Sequence, residues 1–482
     1  MVDRSPKAFY ITLFKKDGIF NGYVVSNDPP SLGNEAEPES PQEPTPATPP
    51  TVDEELGFSK VFDTFVSSME SYRRFVTLTL EMGPMLSSAI ASKRIEDFVK
   101  AKGSECSDLS GETRTVFELD NSCFREFQVY NEEIHAVIDG AIHLPEVAII
   151  GLVSTYDAFL GRLLHVVLNM HPEIVLTSQK EITFAELLQF GSIEEARSAL
   201  IDREIEAVIR SSHQDQFSWM EARFSISLRK DLSVWPRFIE LCERRNLLTH
   251  TGGVVSAQYL ANCKAHKVDL SDVSVGTKLP VDSDYFSGAV GIIYEIGVKL
   301  CHVFWRKFAE KEREQADNAL AELSYNLIYA QAYSIAKALL LFGTTIIKRH
   351  SSDGVRRRMI VNLANAVRLQ GRKEEARRIL ENEDWTAVDN NFKICVAAVN
   401  ENVEEVVELM PKIGAKATPN AEDYRSWPVF LGVGSDQRFI AAFEEVFGEP
   451  FVATTAMEID QPETGSAHLE GSDKATSREI LH

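Results

Sequence analysis

Across most of this chain apolar residues recur three or four positions apart, the spacing of one face of an α-helix. The alternating pattern of a strand is confined to the first residues. Helical spacing runs from Glu54 to about Lys100 (Phe58, Val61, Phe62, Phe65, then Phe75, Leu78, Leu80) and again from about Phe117 to Lys311. A chain so patterned buries one face of each helix against another helix, so the expected fold class is all-α. Within the second block Pro145 is placed to open a helix over 145–170, because the first turn of a helix has no use for the N–H that proline lacks.

Punctuation divides the 482 residues further. Two β-branched and aromatic runs flank Asp17-Gly18, the signal of a small β hairpin within residues 1–28. Between Pro29 and Pro50 stand eight of the 19 prolines, with four glutamates and no basic residue, so residues 29–53 are expected to be a solvated linker. Residues 54–116 form a helical N-terminal region and 117–312 a domain-sized helical block. From 316 to 451 the pattern shortens to helical hairpins, among them LANAV, the Gly371 turn and EEARRIL, which resemble tetratricopeptide-like helix pairs without a fixed repeat. Residues 452–482 are polar and aperiodic, the composition of a disordered tail.

Charge and cysteine content narrow the function classes. A net charge of -22 opposes nonspecific adhesion to polyanions and to anionic membranes, so any nucleic-acid contact must be local. The six cysteines form no CxxC pair, which removes zinc-ribbon and thioredoxin-type sites and suits a reduced cytoplasmic protein. Apolar runs such as PEVAIIGLV fall short of the roughly 20 residues of a membrane span. The expectation is a soluble, cytoplasmic chain with no membrane contact.

One stretch carries chemistry: Phe238-Ile-Glu-Leu-Cys-Glu-Arg-Arg-Asn-Leu-Leu-Thr-His250-Thr-Gly-Gly253. On a helix, Arg245, Asn246 and His250 project at about 0°, 100° and 140°, within one arc, while Leu247 and Leu248 point elsewhere. His250 falls in the last turn before Gly252-Gly253, where the negative helix end favours an imidazolium. Asp157 interrupts an apolar helix on a stripe with Ser154, Gly161 and His165, and a buried carboxylate there needs a cationic or hydrogen-bond-donating partner.

With Asn directly after Arg and a Gly-Gly stop after the His, IELCERRNLLTHTGGVVSAQYL resembles the HEPN family, helical domains of which many are metal-independent RNases. LVSTYDAFLGRLL is similar to the family's first core helix with its acidic residue, and VGTKLPVDSDYFSGAVGIIYEIGVKL to its closing helix. The resemblance covers about 120–310. It implies an endoribonuclease that needs no metal or other cofactor, with RNA as substrate, acting as a homodimer in which two motifs face each other. It further suggests a toxin or antiviral-defence effector, with the C-terminal array taking a protein partner or trigger.

The residues fit that chemistry in kind. Attack of the RNA 2′-hydroxyl on the adjacent phosphate needs proton transfer and stabilisation of a charge-rich phosphorane. Arg245 would clamp phosphate oxygens, His250 would move the proton, and Asn246 would orient the imidazole or a phosphate oxygen. If the two helices pack as the resemblance implies, Arg245 or Arg244 is the partner of Asp157, which would fix the guanidinium rather than transfer protons. Arg244 is a further candidate RNA contact, its alternative being an ion pair with Glu240 four residues back; Glu240 and Glu243 are expected as exposed helix charges. Residues 348–378 hold ten basic residues against three acidic ones, and Arg356, Arg357 and Arg358 are the candidates for steering RNA. His135, His143, His165, His171 and His302 have no ligand spacing. The competing expectation is a catalytically silent HEPN-like scaffold for protein interaction.

Overall fold

Helices dominate the computed structural model, which describes residues 10–16, 19–26, 57–105, 117–176, 184–187, 189–230 and 232–452. The Asp17-Gly18 turn, the linker at 29–53 and residues 453–482 lie outside the described residues. Within the first 55 residues, strands β1 (Tyr10–Lys16) and β2 (Ile19–Ser26) pair antiparallel, with Tyr10 opposite Ser26. The chain from Leu56 onward forms a second unit, and everything below belongs to it.

Helix α1 (Phe58–Ser71) buries Phe58, Phe62 and Phe65. These rings meet two long helices, α3 (Phe124–Met170) and α8 (Ser283–Phe308): Phe65 stands 4.2 Å from Phe159 and Phe58 6.2 Å from Trp305, measured between ring centroids. The crossing needs a glycine, because a Cβ on Gly297 of α8 would lie 2.2 Å from the Phe65 ring. Around this pair pack α4 (Ile193–Ile209), α5 (His213–Phe224), α6 (Trp235–Thr251) and α7 (Ala257–Ala265). Ser192, Ser212, Ser256 and Asp282 cap α4, α5, α7 and α8 by accepting a backbone N–H of the first turn.

A π-helical turn (Tyr72–Val76) joins α1 to α2 (Thr77–Lys102), which pairs with the first half of α3 as a helical hairpin. Two three-residue strands, β3 (Gly103–Glu105) and β4 (Phe117–Leu119), pair antiparallel at its far end. Helix α3 corrects the expectation that Pro145 opens a helix: it runs unbroken for 47 residues, about 70 Å, with Pro145 inside it. Proline removes one backbone hydrogen bond. The helix survives because packing holds both sides of it, against α2 before Pro145 and against the core after it.

Helices Arg313–Tyr329, Tyr333–Leu341, Asp353–Leu369, Lys373–Glu381, Asn390–Val399, Val403–Ile413 and Gln437–Phe447 follow, each against its neighbours. Gln331, Gly371 and Glu401, all at positive φ, turn the chain between them. Arg306 of α8 pairs with the fully buried Asp317 at 2.6 Å, fastening this array to the bundle.

Two helices are long and apolar enough to cross a membrane by length and composition, which the short unbroken runs of the sequence did not reveal. The apolar window of α8 is two-thirds buried in the core, whereas only about a fifth of that of α3 is buried.

Candidate functional site

The motif helix α6 starts with Trp235-Pro236 and ends at Gly252 and Gly253, both at positive φ, where the Gly253 N–H closes on the Leu247 carbonyl at 3.1 Å. Phe238, Ile239, Leu241 and Cys242 enter the main core. Leu247 joins a second cluster with Val255, Tyr259, Cys263 and Leu279, under the loop that follows the motif. The arc expected from the sequence is present: Leu247 and Leu248 are buried, Arg245 and Asn246 half-buried, and Thr249 and His250 exposed.

Asp157 of α3 faces α6. Its Oδ2 accepts from Arg245 Nη2 at 3.4 Å, and the side chains of Asp157 and Arg245 are 21% and 24% exposed. Of the two partners that the resemblance offered, Arg245 is the one that reaches Asp157, and a second partner was not foreseen. His213, nearly buried at the start of α5, places Nε2 3.0 Å from Asp157 Oδ1, with Tyr156 and Phe238 around its ring. One carboxylate therefore ties α3, α5 and α6 together. The available signal was Ser212 as a helix cap, which puts His213 in the first turn, but nothing in the sequence aligns that turn with Asp157. Arg245 Nε is buried without a partner among the described residues, so the guanidinium is held through one nitrogen only. Beside it, burial and then the charge of Asp157 push the Cys242 thiol well up, leaving it a packing group rather than a thiolate.

Arg244 departs from the expectation of an RNA contact. Glu240 binds its Nε at 2.9 Å, the Pro280 carbonyl binds Nη1 at 3.0 Å, and the guanidinium lies 4.5 Å from the centre of the Tyr285 ring. Glu240, expected as an exposed charge, is half-buried and also accepts from Tyr259 and Tyr285, each at 2.8 Å. Burial and the Glu240 charge raise the pKa of both hydroxyls. This cluster braces the loop behind the motif.

His250 is exposed and makes no side-chain hydrogen bond among the described residues. Just past it, Val254 pairs with Lys278, whose Nζ lies 3.5 Å from Glu146 of α3; His143 Nδ1 is 3.3 Å from the same carboxylate. The C-terminal end of α6 therefore stands beside the point where the α2/α3 hairpin leaves the bundle. Of the stripe, Asp157, Gly161 and His165 face an open groove of about 490 Å³ between α3 and α4, also lined by Asp202, Glu206 and Arg210. His165 is 3.4 Å from Asp202 there. Neither Arg245 nor His250 lines this groove.

The basic stretch of the array is corrected most. Arg356 makes a two-point contact with Glu383, both bonds 2.7 Å, and a third to Asp353 at 3.0 Å; in return Arg356 holds the Glu383 carboxyl below its usual range. Arg357 binds Asp353 and the Asp384 carbonyl over the ring of Trp385, and Arg358 reaches Asn318 at 3.0 Å. Arg356 and Arg357 thus join helices through carboxylates and a carbonyl and are not free to meet phosphate, whereas Arg358 stays exposed with its one bond to Asn318. Glu383 and Asp384 lie just beyond the residues whose charge was counted, and the fold brings them back.

Among the described residues no group of three or more His, Cys, Asp or Glu is placed to hold a metal ion. Compared with known proteins, the chain matches no family model, no curated protein and no solved structure.

Proposed function

We propose that the chain is a metal-independent endoribonuclease of HEPN type, acting as a homodimer. The observation that carries this reading is the arrangement on α6: an arginine whose guanidinium is steadied from α3 by Asp157, and one turn on an exposed, unbonded histidine at the helix end. His213 completes the support as a positioning residue, since it reaches Asp157 and is nearly buried. In the reaction Arg245 binds the phosphate and stabilises the phosphorane, while His250 transfers a proton between the 2′-hydroxyl, the phosphate and the 5′-oxygen that leaves. Asn246, on the same arc, orients one of these groups. One imidazole cannot serve as both base and acid in one step, so the second comes from the motif of another chain. The helical array, tetratricopeptide-like in its paired helices and tight turns, receives a protein trigger or restraint in a toxin or defence role.

A second reading is favoured by one observation: a guanidinium bonded to a single carboxylate, with Nε buried, also suits a structural brace in a catalytically silent scaffold. RNA incubated with the purified protein in excess chelator, beside a His250→Ala control, separates the two. The ribonuclease leaves 2′,3′-cyclic phosphate or 3′-phosphate ends that the control does not produce. Intact RNA in both tubes supports the scaffold.

A further inference from the structure

The α2/α3 hairpin shows more unpartnered apolar surface than any other part of the described chain. Helix α2 carries two apolar stripes. One, with Leu80, Ala91 and Phe98 buried, faces α3, where Phe98 meets the rings of Phe127 and Tyr130 at 5.8 and 5.4 Å. The other runs through Leu78, Met82, Met85 and Ala89 with Leu86 and Ile90 beside it, spaced four, three and four apart, and is exposed along its length. Phe75, one turn earlier, is 71% exposed and Met85 74%. On α3, Val137, Leu144 and Val147 are likewise exposed at seven- and three-residue spacing, with Gly140 completing the heptad. Apolar residues repeating in this way are the seam of a helix that packs against another helix.

We propose that this hairpin is the docking surface for a second copy of the chain, two hairpins packing along these stripes as a four-helix bundle. Three observations select that occupant. The exposed side chains amount to roughly 1,000 Å² of apolar surface on one chain, above the ~800 Å² per partner of a standard interface and beyond the few hundred Å² that a monomer usually shows. From Phe75 to Ile90 the only ionisable residue is Glu81, and of the two carboxylates on the α3 seam Glu146 is paired with Lys278 and leaves Asp139, so two chains of net charge -22 meet there with few facing carboxylates. The α3 seam ends at Val147, next to the Glu146–Lys278 contact that anchors the loop after His250, so docking along it brings a second motif toward the first. The choice of a second copy rests on the ribonuclease reading, which needs a second imidazole. Insertion into a membrane is the competing use of such a hairpin. It would carry Lys93, Arg94, Glu96, Asp97 and Lys100 on the outer part of α2 across the bilayer, at about 2.5–3.5 kcal/mol for each such charge at its centre.

The test is sedimentation velocity of the full chain at micromolar concentration, with Met82→Glu/Met85→Glu as the variant and Met85→Gln/Leu86→Gln as a milder one. These side chains are exposed rather than part of the core, so both variants are expected to keep a thermal transition close to that of wild type. Wild type sediments at twice the mass of one chain, and the Glu pair weakens the dimer roughly a hundredfold or more, the effect of charges placed in an apolar contact. The Gln pair weakens it less. A monomeric wild type, or a dimer that persists in both variants, overturns the proposal; so does flotation of a wild-type monomer with phosphatidylcholine/phosphatidylglycerol vesicles. His250→Ala stays dimeric. If the dimer behaves as stated and no RNA is cut, the ribonuclease reading fails while the docking surface stands.

Discussion

Two arginine clusters, Arg244-Arg245 on α6 and Arg356-Arg357-Arg358 in the array, look alike in sequence and differ in what the fold brings to them. Arg356 spends all of its forked donors on Glu383 and Asp353. Arg245 has one contact of 3.4 Å, to a carboxylate shared with His213. The first arrangement fixes one helix to the next. The second leaves an arginine positioned but lightly held, one turn from an exposed histidine, which is the condition for meeting a phosphate. A local charge count cannot tell these apart, because the deciding carboxylates come from elsewhere: Asp157 is 88 residues from Arg245 and Glu383 27 residues from Arg356.

The comparison breaks most visibly in catalysis. His250→Ala should lower RNA cleavage by roughly 10²–10⁴, the usual weight of a general acid–base group, with the melting temperature close to wild type because the ring is exposed and unbonded. Activity equal to wild type would reduce the motif to a helix ending. Asp157→Ala should instead lower stability, by about 1–3 kcal/mol in urea unfolding, since it strips Arg245 and His213 of their acceptor at a site still one-fifth open to water. Asp157→Asn, which keeps an acceptor oxygen, should lose less; an unchanged midpoint for both would show that the brace bears no load.

In the array, Arg356→Ala should cost about 1 kcal/mol through its bond to Glu383, which is partly exposed, and should leave the salt dependence of RNA affinity unchanged. A flatter salt slope would restore the phosphate-steering face. A separate effect falls on pH dependence. His302 is fully buried with neither ring nitrogen bonded, and burial, then the Arg306 charge, push its pKa from 6.5 down to about 3. Between those values the unfolded chain binds a proton that the folded one does not. Stability therefore falls as pH drops through this window, by up to ~1.4 kcal/mol per pH unit from this group. His302→Phe should flatten unfolding midpoints between pH 6.5 and 4 relative to wild type, and an equal slope in both would place the acid sensitivity elsewhere.

Much of this was legible in the residues, for physical reasons. Helical periodicity is local and survived intact, as did the arc of Arg245, Asn246 and His250, because both follow from the angle per residue alone. Asp157 could be located because a carboxylate on an apolar helix demands a partner. His213 could not, since its place depends on how α5 meets α3. The continuous α3 was hidden by Pro145, whose local preference for a helix start was overridden by packing on both sides. The second stripe of α2 was visible as spacing, yet only the fold shows that it stays exposed.

The claim that binds these parts is that two chains build one catalytic site, and a mixed dimer tests it most directly. One wild-type chain is paired with one Arg245→Ala/His250→Ala chain, isolated by sequential affinity tags and assayed before subunits exchange. If each cleavage event draws on both motifs, the mixed dimer falls well below half of wild-type activity. Independent sites would retain about half, since silencing one of two uncoupled centres removes only its own share, and that result would contradict the account.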